Sequence, residues 1–217
     1  GALAPAPALA GAWVAPEGGQ EIVTTVAGKR DDLNYYESSA YWEAPIGREN
    51  SIVAAPWVEQ NYDTDDGWRG EATLGVKHAL VRTGAAAMAV QAGALWMSHP
   101  DEGCGEGGAE VRYLAGVANQ HSAFVNAELA ARVLEGGCGG ERIDLTAGYR
   151  PAPNWMLMGQ VFADRPREGE SSVKAQVTLV RFGESGRGLQ FGLRARIDGG
   201  SQEPALVIGF WGRPRDD

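Results

Sequence analysis

Beyond Gln20 the dominant pattern in this chain is alternation of apolar and polar residues, not a helical period. Val125, Ala127, Leu129, Ala131 and Val133 are apolar, and Asn126, Glu128 and Arg132 stand between them. The stretches from Arg142 to Arg150 and from Gln190 to Ile197 repeat the arrangement. Period two of this kind predicts strands with one greasy and one polar face. It predicts twelve of them, at about 20–28, 34–45, 51–62, 66–78, 85–98, 108–119, 122–135, 140–151, 155–164, 171–182, 187–198 and 205–213. Most reach the roughly 9–11 residues that a tilted strand needs to cross a bilayer. With no helical interlude, internal repeat or linker, the expected fold is one all-β antiparallel barrel spanning 20–213, after a leader at 1–19 and before a tail at 214–217.

The connections sort by parity. One set (44–50, 78–84, 119–122, 151–154, 182–187) is mostly short. The other (28–34, 62–67, 98–108, 135–140, 164–171, 198–205) is longer and more charged, with Lys29-Arg30-Asp31-Asp32 and Asp63-Thr64-Asp65-Asp66 in it. Short periplasmic turns and longer extracellular loops are the rule for transmembrane barrels, and an even strand count returns both termini to the periplasmic side.

Alternation alone does not say which face is greasy outside. The apolar face, however, is often Ala, Gly and Val (Ala127, Ala131, Ala147, Gly159, Ala175), which suits acyl chains better than a packed core. Tyr36, Trp68 and Trp96 fall at the extracellular ends, and Trp42, Tyr149 and Trp155 at the periplasmic ends, as two interfacial girdles require. The opposite face then turns Glu37, Glu43, Glu59, Arg69, Glu71, Lys77, Glu110, Arg112, Glu128, Arg132, Arg142, Asp144, Arg150, Lys174, Arg194 and Arg196 into the lumen.

Composition changes this picture little. No stretch approaches the roughly 20 apolar residues of a membrane helix, a test blind to barrels. The net charge of −9 argues against a nucleic-acid partner. Cys104 and Cys138 fall in neighbouring loops on the same side, consistent with one disulfide in an oxidising compartment. The small apolar start, ending in Ala8-Leu9-Ala10, reads as the remnant of a secretory signal peptide or as a flexible leader.

The opening Gly11-Ala12-Trp13-Val14-Ala15-Pro16-Glu17-Gly18-Gly19-Gln20 resembles the start of an uncharacterised group of proteobacterial outer-membrane barrels that begin GAW-x-x-P-x-G after the signal peptide. Glu37 to Glu43 (ESSAYWE), followed by Ser51-Ile52-Val53, is similar to that group's second hairpin. The resemblance covers about the first quarter of the chain and implies a transporter-like barrel in the cell outer membrane. The end departs from the usual terminal aromatic, since Phe210-Trp211 is followed by Gly212 to Asp217.

No enzyme and no cofactor are expected. His121, Ser122 and Glu128 superficially match a nucleophilic set, but adjacent strand residues point to opposite faces and these fall in a periplasmic turn. His78 and His99 read as solvated. No metal site is expected: the cysteines lack a C-x-x-C partner, and Asp63, Asp65 and Asp66 do not make an EF-hand loop. The expected partners are outer-membrane lipid and lipopolysaccharide, a small polar solute, and a protein docking at the loops or at the periplasmic leader and tail.

The lumen carries the functional expectation. Arg112, Arg132, Arg142, Arg194 and Arg196 lie on strands six to eight and eleven, and Glu37, Glu43, Glu59 and Glu71 on strands two to four. Two walls of opposite sign would make a narrow channel for small polar or anionic solutes. Mutual neutralisation would instead make a structural or partner-binding barrel with a closed, salt-bridged interior.

Overall fold

The computed structural model describes residues 11–31, 33–60, 67–100, 103–119, 122–167, 169–200 and 202–212. Residues 1–10, with the candidate signal remnant, the acidic run Asp63 to Asp66, His121 and the tail 214–217 lie outside them.

Twelve antiparallel strands close into one barrel in sequence order, with β1 paired to β12. They are β1 (Gln20–Arg30), β2 (Leu33–Ile46), β3 (Asn50–Gln60), β4 (Trp68–Arg82), β5 (Ala86–Met97), β6 (Gly107–Ala118), β7 (Ala123–Leu134), β8 (Gly139–Ala152), β9 (Trp155–Pro166), β10 (Ser172–Phe182), β11 (Gly188–Arg196) and β12 (Ala205–Gly212). The seam runs in register from Glu21↔Gly212 to Gly28↔Ala205, so no edge is left unpaired along it.

The alternation is inside out relative to a water-soluble core. Leu74 on β4, Val111 on β6, Leu129 on β7, Leu145 on β8, Val177 on β10, Leu193 on β11 and Leu206 on β12 all face outward, with Leu193 65% and Leu206 61% exposed. An apolar surface running around the barrel is far larger than the few hundred Å² a soluble monomer exposes. It is what hydrocarbon requires of a closed sheet whose backbone bonds are all internal.

The rim at which β1 begins and β12 ends has the short connections 47–49, 83–85, 119–122, 153–154 and 183–187, which in outer-membrane barrels mark the periplasmic rim. At the other rim the structure departs from expectation once. The charged run at 28–34 is not a loop: β1 and β2 stay paired through Arg30↔Leu33, leaving only Asp31 and Asp32 between them. Arg30 belongs to the strand because its guanidinium turns into the lumen, where Glu59 and Glu203 receive it. Cys104 and Cys138 form a disulfide (Cα–Cα 5.8 Å) joining the β5–β6 and β7–β8 connections at that rim.

The aromatics point outward near the two rims, Tyr36, Trp68 and Trp96 at one and Trp42, Tyr149 and Trp155 at the other. Trp42 Nε1 donates to Glu21 (2.9 Å), Trp96 Nε1 donates to Glu106 (3.2 Å), and Arg181 stacks over Trp155 at 5.5 Å. These three rings thus have an apolar body and a polar tether, the form suited to a headgroup level.

Candidate functional site

The segment 11–19, expected as a periplasmic leader, is folded into the lumen. Gly18 (φ 90°) and Gly19 (φ 81°) make the reversal that sends the chain back inside before β1 begins, and the Gly19 N–H donates to Pro16 O. A side chain would be strained at either φ. Ala12 is 1% exposed and packs with Trp13 against Ala87, Ala89 and Leu114. The Trp13 ring lies against Gly116, where any Cβ would collide with it.

This strap is held by side chains from distant strands. Lys77 on β4 is 0% exposed and its Nζ donates to Gly11 O (3.0 Å), Trp13 O (2.9 Å) and Glu43 Oε2 (2.7 Å). Glu43 on β2 also accepts from Tyr41 Oη (2.6 Å) and, at its other oxygen, from the Ala15 N–H (2.9 Å). On the far side, Asn126 Oδ1 accepts from the Ala12 N–H (3.0 Å). The strap forms no strand, so these groups supply partners that its buried backbone would otherwise lack. Beside it, Phe124, Met156, Met158, Val180 and Trp211 form an inward apolar cluster at the same periplasmic end.

Toward the extracellular rim the lumen holds two ion-pair networks. In the first, Arg30 bridges Glu59 (3.0 Å) and Glu203 (2.9 Å), Arg69 reaches Glu59 (3.1 Å), Lys174 reaches Glu203 (3.1 Å), and Arg194 meets Glu37 (2.7 Å). In the second, Arg132 grips Glu71 (2.6 Å) and Glu110 (2.7 Å), Arg142 joins Glu71 (3.3 Å) to Asp164 (2.9 Å), and Arg112 joins Glu110, Glu128 and Asp144 (3.1, 2.7 and 3.3 Å). The charges of these two networks do not stand as two walls of opposite sign. Arg112, Arg132 and Arg142 each meet carboxylates of β6 to β9, and Arg132 and Arg142 also meet Glu71 of β4, so each charge is compensated at contact.

Arg196 stands higher, at the rim, and its Nε donates to Asp198 (2.7 Å) in the β11–β12 connection. That hydrogen bond, with those from the Gly200 and Val173 N–H groups, holds the Asp198 carboxyl at about 2. Glu203, in the same connection, is pushed up by burial, but hydrogen bonds from Arg30 and Lys174 and their charges outweigh this and leave it below its ordinary value.

Between the networks and the strap lies a cavity of about 300 Å³. It is bounded by Arg112, Arg194, Gln160 and Gln176 on one side and by Thr24, Ser39 and Ala55 on the other, with Gly11 at its floor and the apolar Phe124, Met158 and Trp211 also in its lining. The glutamines were not singled out from sequence, where a neutral amide on the polar face of a strand looks like any solvated residue. The apolar cluster was missed too, although its signal was present: Phe124 occupies the phase of Asn126 and Glu128, and Trp211 follows Val207 and Gly209 on the inner face of β12. Of the weighed nucleophilic set, Ser122 lies in the β6–β7 turn with φ 67°, and Glu128 is engaged by Arg112 and Asn126. His78 Nδ1 is 2.9 Å from Asn50 Oδ1, and His99 packs edge-on to Trp68 at 5.8 Å.

A closed barrel with a lipid-facing exterior and a polar, partly filled interior defines the fold of outer-membrane β-barrels. Solved structures share it. An outer-membrane channel from Pseudomonas putida F1 superposes with a TM-score of 0.65 at 9% identity, covering 94% of this chain and 98% of that one. The KdgM porin gives 0.61 at 4% identity, covering 88% and 97%. Outer membrane phospholipase A from Escherichia coli gives 0.52 at 10% identity, covering 91% and 93%. At such identities the likeness establishes the fold. No protein-family model and no curated protein matches this chain.

Proposed function

We propose that this chain resides in the outer membrane as a narrow channel for small polar solutes, its periplasmic half occupied by its own N-terminal strap. The observation that carries the reading is the axial cavity: a space with both polar and apolar lining, left open in a bore that paired charges and the strap otherwise fill. A barrel with a purely structural role has no use for it. Two barrels of similar fold are described as a porin and an outer-membrane channel, and the KdgM porin was also solved with oligogalacturonate. Support for a non-catalytic role is of the same kind and coarser, since one barrel of similar fold is a phospholipase.

Local compensation modifies the expectation of anion preference. Each lumenal cation of the two networks has a carboxylate oxygen within 3.1 Å, so these networks leave no uncompensated cation to draw anions. Single-channel recording of the refolded barrel in planar bilayers tests the proposal. Ohmic steps with weak charge selectivity are expected, and Arg194→Glu, which sets a second carboxylate beside Glu37, should shift selectivity toward cations. A folded, heat-modifiable barrel without conductance would end the channel reading in favour of a closed barrel that binds a partner.

A further inference from the structure

One wall of the cavity is a continuous hydrogen-bonding row. Thr146, Gln160, Gln176 and Arg194 are successive register partners on β8, β9, β10 and β11. Their side chains are linked in that order: Gln160 Nε2 donates to Thr146 Oγ1 (3.4 Å), Gln176 Nε2 to Gln160 Oε1 (2.8 Å), and Arg194 Nε to Gln176 Oε1 (2.8 Å). At its lower end the row continues through the register pair Asn126↔Thr146 to the residue that holds the strap. Because register partners climb as a tilted sheet closes, the row is a ramp from the strap toward the extracellular rim.

Four further features distinguish this ramp from a structural network. Across the cavity β1, β2 and β3 contribute Thr24, Ser39 and Ala55 to the lining, so the space there is open where large side chains would close it. The row is not saturated: each amide has a second N–H and a second lone pair, and nearby Thr178 Oγ1 and Asp144 Oδ1 are buried without a partner. Arg194, the one charged member, is neutralised by Glu37 at 2.7 Å. Phe162 adds an apolar ring beside the ramp, with the Arg194 guanidinium over it at 5.3 Å.

We infer that this amide ramp is a binding site for neutral polyhydroxylated solutes of monosaccharide size. Amides and hydroxyls donate and accept alternately, as sugar hydroxyls do, and a ring face covers C–H groups. An ion gains nothing from compensated charges yet must shed water to enter. An apolar solute would leave the row's free donors and acceptors unpaired. About 300 Å³ is at the lower end of small-molecule sites, enough for one pyranose.

The inference deepens the channel reading, on which it rests, and equilibrium binding tests it separately from conduction. Glucose, glucuronate and glucosamine, one ring with three charges, are titrated against the refolded barrel in detergent. Intrinsic fluorescence is the readout, because Trp211 lines the cavity and its Nε1 donates to Gln190 (2.6 Å). Glucose should bind more tightly than either charged ring. Gln160→Leu and the near-isosteric Thr146→Val should each weaken it by about threefold to tenfold, the equivalent of one net hydrogen bond. Thr146→Val keeps the test decisive if Gln160→Leu fails to fold. Tighter glucuronate binding, or glucose binding indifferent to both variants, would overturn the inference. A conducting barrel that ignores glucose overturns the site alone. A glucose-binding barrel that never conducts supports the site and overturns the channel.

Discussion

Replacing Lys77 should release the strap without unfolding the barrel. Its ammonium donates to two strap carbonyls, Gly11 O and Trp13 O, from a fully buried position. Hydrogen bonds from a charged donor are worth about 1.5–3 kcal/mol each, so the strap loses at least about 3 kcal/mol of its seating. Lys77→Met alone would also strand the Glu43 carboxylate, and a buried charge left unpaired costs about 3–5 kcal/mol on its own account. The informative variant is therefore Lys77→Met/Glu43→Gln, which removes both charges, roughly preserves volume and leaves an acceptor for the Ala15 N–H. About 3 kcal/mol is roughly a hundredfold in occupancy. The native cysteines are joined to each other, so Ala12→Cys supplies a single thiol at a position 1% exposed. Its maleimide reactivity should rise by roughly a hundredfold in the double variant, with larger conductance steps. Unchanged reactivity and conductance in a barrel that still migrates as folded would refute the assignment of Lys77 as the anchor.

Four further outcomes follow from the same geometry. Gly116→Val places a branched side chain where the Trp13 ring lies, so the thiol at position 12 should become reactive although Lys77 and Glu43 are retained. Arg132→Leu leaves Glu71 to Arg142 alone and Glu110 to Arg112 alone and should destabilise the barrel by about 1.5–3 kcal/mol, read as an earlier heat-induced mobility shift, and adding Glu71→Gln should restore part of it. The Asp198 carboxyl is depressed from 3.8 to about 2, so its contribution is complete above pH 4 and lost as pH falls toward 2; protection of the Val173 and Gly200 amides, relative to their intrinsic exchange rates, should fall only in that window, and Asp198→Asn should abolish the dependence. Cysteines 34 residues apart constrain the unfolded chain by about 4 kcal/mol in the loop-entropy model, so reduction should lower the urea midpoint while the paired β6–β7–β8 wall stays folded.

Strands and facing were legible because they depend on local period. On β7 the side chains of Val125, Leu129 and Val133 were bound to share one face and Asn126, Glu128 and Arg132 the other, whatever lay beyond them. Which inward charge meets which was not legible, because it depends on register and closure. Arg132 is held by Glu71 from β4, three strands away, and Arg30 by Glu203 from the β11–β12 connection, across the seam. The two opposing walls of charge inferred from strand numbers dissolve once Glu110, Glu128 and Asp144 are seen beside the arginines. The strap was illegible for a different reason. From Gly11 to Gly19 no periodicity exists to read, and its seat is made by Lys77, Glu43 and Asn126 from β4, β2 and β7. Lys77 could be placed in the lumen from sequence; that it would serve backbone carbonyls could not.

The strap is joined to β1 through Gly18 and Gly19, a hinge of only two residues. Once released it cannot diffuse away, and a short flexible tether keeps such a segment at an effective concentration of about the millimolar range around its seat. Return is therefore unimolecular and quick, so openings should come as flickers grouped in bursts, with durations independent of protein concentration. A soluble peptide copying residues 11–17 would have to compete at that same millimolar level to hold the bore shut, or to keep the native strap out of it.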